Sequence, residues 1–260
     1  MMQWRVLLQK EWRDHVRNLK ILWIPIVFVL YGIMQPVMFY YMEDIMKAVG
    51  NMPEGVDMGI TDMTSADVMA STVGQFHLIV ALIVILSFMG VISKERKNRT
   101  AALLYVRPIS FSAYYLSKLS GATIVALLST VLGLLASFYY TMILYDEMDV
   151  WKCAALIGTY SLWVLFVVTV TLTASAVFST GVAGTLAFLL TYFMQLIDSI
   201  IGQFWTVSPW KLGTYAITWL VAEPDSSDFW LSVVVTVIAI LLLVIIGIWG
   251  TRKNVENIKI

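Results

Sequence analysis

CAALIGTYSLWVLFVVTVTLTASAVFSTGVAGTLAFLLTYFMQLI, residues 153–197, contains no charged side chain. As one helix these 45 residues would reach about 68 Å at 1.5 Å per residue. A bilayer is only about 40–45 Å thick with its headgroups, so the run must fold back. Ser179-Thr180-Gly181 is the expected turn, because glycine favours helix termination. The stretch therefore predicts two antiparallel membrane spans, near 154–178 and 182–201.

The rest of the chain has the same character. Of 260 residues, 60% are apolar or aromatic and 13% are charged, whereas soluble domains average about 45–50% and about 25%. Further long apolar runs predict a first span at 21–41, a second at 71–93, a third within 119–145 and a sixth at 229–249. Pro25 is tolerable in the first turns of its span, and the deeper Pro36 is expected to kink the helix. The predicted fold class is an all-α integral membrane protein with six transmembrane helices, a single transmembrane domain over 1–260. No cleavable signal peptide is expected, since the first apolar run is long and lacks an A-x-A site.

Residues 1–20 predict an amphipathic interfacial helix. Trp4, Leu8, Trp12 and Val16 recur every four residues, while Gln9, Lys10, Arg13, Asp14 and Arg17 fill most of the other face. Such a helix lies in the headgroup region with its cations toward phosphates. The segments 1–20, 94–118 and 250–260 hold 14 of the 17 Lys/Arg residues, and 13 of the 17 acids fall on the other side. Lysine and arginine mark the cytoplasmic face, so both termini are predicted to be cytoplasmic. The chain is expected in a cell membrane, that of the bacterial cytoplasm.

Chemistry-bearing motifs are few. No HExxH, G-x-S-x-G or Walker A sequence occurs, and no Gly-Lys pair exists at all, so no catalytic residues are predicted and the chain is not expected to be an enzyme. The single Cys153 excludes an internal disulfide and a CxxC metal site. Met42, Met46, Met52, Met58, Met63 and Met69 cluster before the second span. Thioethers bind Cu(I), yet their irregular spacing suits apolar packing better, and no metal site is predicted. A net charge of zero offers no pull toward nucleic acid.

The most informative polar segment joins spans two and three: Glu95, Arg96, Arg99, Thr100, Leu103, Leu104, Arg107, Pro108, Ile109, Ser110 and, beyond Tyr114 and Tyr115, Lys118. Its order and spacing resemble the permeases of the ABC-2 transporter family, with Arg99 standing where those proteins usually carry a glycine. The layout is similar to that family over the whole chain, including partly membrane-dipping helices at 203–229. The resemblance implies a coupling connector seated on a separate ATP-binding cassette subunit, with the elbow helix beside it. It also implies a second permease copy or a paralogous half. ATP and Mg²⁺ would then belong to the partner and no cofactor to this chain, and the activity would be export of a cargo the sequence does not identify. By charge alone, the same segment reads as a loop that only sets topology and touches lipid headgroups. A non-transporting membrane partner and an ion-coupled secondary transporter are the rival classes.

Three features have two readings each. Ser129, Gly133 and Ser137 permit close helix approach, within one chain or between two halves. Thr169, Thr171, Thr173 and Ser175 could line a polar path or bond between helices. Asp198 is a functional candidate as an intramembrane acid, but its distance from Gly181 places it near the outer interface, within reach of water.

Overall fold

The computed structural model describes residues 2–49, 63–98, 110–202 and 204–256. The connector residues Arg99, Thr100, Leu103, Leu104, Arg107 and Pro108, and the loop methionines Met52 and Met58, lie outside the described residues. Among the described residues the regular structure is entirely helical: α1 (Met2–Arg17), α2 (Lys20–Tyr40), α3 (Met42–Ala48), α4 (Ser65–Phe88), α5 (Ser93–Lys97), α6 (Phe111–Leu144), α7 (Val150–Val177), α8 (Thr180–Phe188), a π-helical turn (Leu189–Phe193), α9 (Met194–Ile201), α10 (Lys211–Val221) and α11 (Ser226–Glu256). Six of these units are long and apolar enough to cross a membrane: α2, α4 with α5, α6, α7, α8 through α9, and α11. This is a multi-pass, all-α membrane protein.

Local side chains set the helix starts. Thr64 and Asp67 form a capping box at the head of α4, which begins that helix six residues before the apolar stretch alone predicts. Asp149 accepts from the Trp151 amide at the head of α7, and Ser110 from the Ala113 amide at the head of α6. The third helix therefore takes in residues 111–118, which the apolar pattern assigns to the connector. The long uncharged run does break, but not on its glycine. Phe178 and Ser179 are extended, while Gly181 lies inside α8.

α7 is the central helix, with 61% of its apolar window buried against 17% for α11, so the other spans pack around it. α2 and α6 form the most extensive helix pair. They meet at two glycines: a Cβ on Gly32 would overlap the Gly133 carbonyl, and one on Gly133 would lie 2.8 Å from the Phe28 carbonyl oxygen. Ser129 and Ser137 are fully buried beside Gly133. The small-residue row thus serves packing within this chain.

α10 has 11 residues, about 16 Å at the helical rise, roughly half the hydrocarbon thickness. It packs against α4 and α7 and is not a seventh crossing. α1 and the last turns of α11 lie at the same end of the bundle. α1 packs on the first turns of α6 at Gly121, and Gly247 near the end of α11 meets the Tyr115 ring.

Candidate functional site

The buried stripe of α1 is Leu7, Glu11 and His15, spaced i, i+4, i+8. Trp12 and Val16, from the expected apolar stripe, are 40% and 47% exposed and face away from the protein, with Trp4 and Leu8 half-buried. The elbow therefore turns two polar side chains inward. Gly121 makes room for them: a Cβ there would lie 3.2 Å from His15 Nε2 and 3.3 Å from Glu11 Cβ.

Glu11 meets Lys118, whose side chain is 1% exposed. Lys118 Nζ stands 2.9 Å from Glu11 Oε1 and 3.0 Å from Glu95 Oε1. Lys10 reaches the same Glu95 oxygen at 3.1 Å, and the Tyr114 hydroxyl donates to Glu95 Oε2 at 2.7 Å. Lys118 also lies over the Tyr114 ring at 5.2 Å. Burial alone would lower the Lys10 ammonium, but Glu95, with Glu11 and Asp14, carries it above the ordinary lysine value. Burial pushes His15 down to about 4, helped by Lys20 and Lys118, so its imidazole is neutral at pH 7. The carboxylates of Glu11, Asp14 and Glu95 converge within 4.8 Å. Two lysines already stand against Glu11 and Glu95, so these acids need no cation to hold them together.

The other side of α5 grips the turn between the fourth and fifth spans. Arg96 donates to the carbonyls of Ala176 at 2.8 Å and Phe178 at 2.5 Å. Those carbonyls end α7, where a cation is favoured by the helix dipole. Ser93 shares a hydrogen bond with Thr180 at 2.7 Å. The amides of Ile92 and Ser93 donate to Ser175 Oγ, each at 3.2 Å. Ile92, Ser93, Glu95 and Arg96 thus join the elbow, the start of span three and the span four–five turn where the connector begins. Ser110, at the connector's far end, caps α6, and its amide donates to Gln3 of the elbow at 3.4 Å.

A family model for ABC-2 family transporter proteins matches residues 5–253. The chain belongs to the ABC-2 transporter family. It is also 31% identical over 250 residues to the uncharacterized transmembrane protein YxlG of Bacillus subtilis (strain 168), covering 95% of this chain and 96% of that protein. Within this ABC-2 chain, the described residues among those singled out by spacing, Glu95, Arg96, Ser110 and Lys118, lie around one hub. Glu95 and Lys118 close the ion cluster, Arg96 holds the span four–five turn, and Ser110 starts span three. Glu11, Lys10 and Tyr114 are the members the spacing did not reveal. The signal was present in α1, as an acid and a histidine in line with Leu7.

The remaining candidates do other work. Thr169 and Thr171 donate to carbonyls of their own helix, both at 2.8 Å. Thr173 bonds Tyr115 at 2.9 Å and the Leu243 carbonyl at 3.0 Å. All three hydroxyls are buried, and that of Thr173 joins α7 to α6 and α11. Asp198 is 4% exposed, not water-facing as its height suggests. The first turn of α10 covers it, with Lys211 at 3.5 Å and the Thr214 hydroxyl at 3.4 Å. Trp210 Nε1 donates to the Leu190 carbonyl at 2.9 Å, within the π-helical turn. Such turns leave carbonyls free of their usual helical partners. The fifth span and the α10 segment are thereby pinned together.

Proposed function

We propose that this chain is the membrane-spanning half of an ATP-binding cassette exporter, driven by ATP hydrolysis on a separate subunit. The observation that carries this is the α5 hub. A push on the connector after residue 98 reaches Glu95 and Arg96 first. From Glu95 it passes through Lys118 and Glu11 to span three and the elbow, and from Arg96 to spans four and five. Charged hydrogen bonds in a buried setting transmit displacement because they are short, directional and costly to break. A loop that served only topology would need charge, but not this network.

On this reading two permease halves, identical or paralogous, sit above two ATP-binding subunits, with the connector end of the bundle cytoplasmic as the Lys/Arg bias requires. ATP and Mg²⁺ are bound by the partner, and this chain contributes no catalytic group. The connector's arginines and leucines suit a groove with acidic and apolar walls. Cargo enters the account only as something moved outward, and an amphipathic or peptide-like molecule fits the apolar spans best.

The test places a photo-cross-linking residue at Asn98, exposed at the end of α5, in the full chain in native membranes. The expected product is a conjugate with a nucleotide-binding chain whose yield changes when ATP is added. An Asn98 cross-link to lipid alone, with none to such a chain, would remove the proposal.

A further inference from the structure

A cleft of about 670 Å³ opens between α1, the corner leading into α2, and the junction of α4 with α5. One wall is the ion cluster already described. Arg17, Lys20 and Lys94 also line the cleft, and among the described residues none of the three has a carboxylate within salt-bridge distance. Lys20 donates to the Ser87 carbonyl at 2.5 Å and lies over the Phe88 ring at 5.1 Å. Lys94 and Lys118 both lie within electrostatic range of it. Glu11 faces Lys20 too, but that carboxylate is engaged by Lys118 at 2.9 Å. Asp14 and Glu95 are the further acids on the lining, and the four cations Arg17, Lys20, Lys94 and Lys118 outnumber the three acids by one.

Position and lining indicate what that charge holds. Lys20 is the first residue of the first span, and Lys94 follows the end of α4 by six residues. Both stand where the helices leave the hydrocarbon, the level of lipid phosphates. Leu86, on the same lining, is 57% exposed and offers an apolar surface continuous with the lipid-facing side of α4. We infer that this cleft binds a phosphate group, and that the group is the headgroup phosphate of an anionic phospholipid of the same leaflet. Arg17, Lys20 and Lys94 donate charge-assisted hydrogen bonds to its oxygens, and an acyl chain runs along Leu86. The site is independent of whether an ATPase docks on the connector.

The experiment is native mass spectrometry of the purified full-length chain in detergent. It is titrated with phosphatidylglycerol or with phosphatidylcholine of the same acyl chains. A parallel series adds inorganic phosphate. The expected result is tighter retention of phosphatidylglycerol, weakened about fivefold in Lys20→Gln and about fivefold in Lys94→Gln, with no change in the outer-surface control Lys47→Gln. Lys94 is exposed, so its variant should fold even if the half-buried Lys20 variant does not. Equal retention of the two lipids, or wild-type retention in Lys94→Gln, would overturn the site. Displacement of phosphatidylglycerol by millimolar inorganic phosphate would overturn the lipid as its occupant.

Discussion

Replacing Lys118 with methionine removes the cation that two carboxylates share. Methionine keeps most of the length and apolar stem, so the loss is chiefly electrostatic. Breaking a buried pair by deleting one partner costs about 3–5 kcal/mol, because the remaining charge stays buried without compensation. Here the lower end applies. Glu95 is 21% exposed at its side chain and retains Lys10 at 3.1 Å and Tyr114 at 2.7 Å, whereas the Glu11 side chain is only 6% exposed and Lys10 is 3.9 Å from it. A loss of about 3 kcal/mol corresponds to roughly 6–12 °C in Tm for a chain of this size. The assay is thermal unfolding of the detergent-purified protein, followed by the fluorescence of its 10 tryptophans. Adding Glu11→Gln to Lys118→Met neutralises the stranded acid and should restore part of the loss, a non-additivity of about 1–3 kcal/mol. A shift of about 1 °C or less, with additive behaviour in the double variant, is what a solvated pair would give. That result would refute the buried network.

Arg96→Gln removes the cation from the end of α7 and should cost about 1–2 kcal/mol, read as a lower melting temperature with membrane insertion unchanged. Gly32→Ala forces α2 off the Gly133 backbone and should sharply reduce folded yield in size-exclusion profiles. Gly158→Ala, where a Cβ would meet nothing within 4 Å, should be neutral or stabilise by up to about 1 kcal/mol. His15 supplies a pH dependence. Its folded value of about 4 lies below the ordinary 6.5, so the unfolded chain takes up the proton first. Stability is therefore complete above about pH 6.5 and falls as pH drops toward 4, by up to about 3 kcal/mol. In His15→Gln, melting curves over that range should lose this component.

The membrane architecture was legible because its cause is local. An uncharged run longer than a bilayer must turn, and lysines and arginines sort to one side. Glu95 and Lys118 were legible as a spacing across one connector. Glu11 was not, since it meets Lys118 across 107 positions and acidic residues on an elbow helix ordinarily face water. Its alignment with Leu7 and His15 was the available clue. The break at Phe178–Ser179 overlaps the expected Ser179-Thr180-Gly181 turn at Ser179, but Gly181 itself fits within α8, because glycine marks helix ends only as a tendency. Asp198 was placed by height along its helix, which says nothing of the chain that folds back over it.

The proposed coupling is tested most directly by the ATPase rate of the complex. The chain would be purified from native membranes with any ATP-binding subunit it retains and reconstituted in lipid vesicles. Wild type would be compared with Glu95→Gln, which keeps the size and loses the charge facing Lys10 and Lys118. The account predicts an ATP-binding partner in equal number, hydrolysis that depends on the permease, and a drop of about tenfold in that dependence for Glu95→Gln with the complex still assembled. A chain that purifies without such a partner, or a complex whose hydrolysis ignores Glu95→Gln, would contradict it.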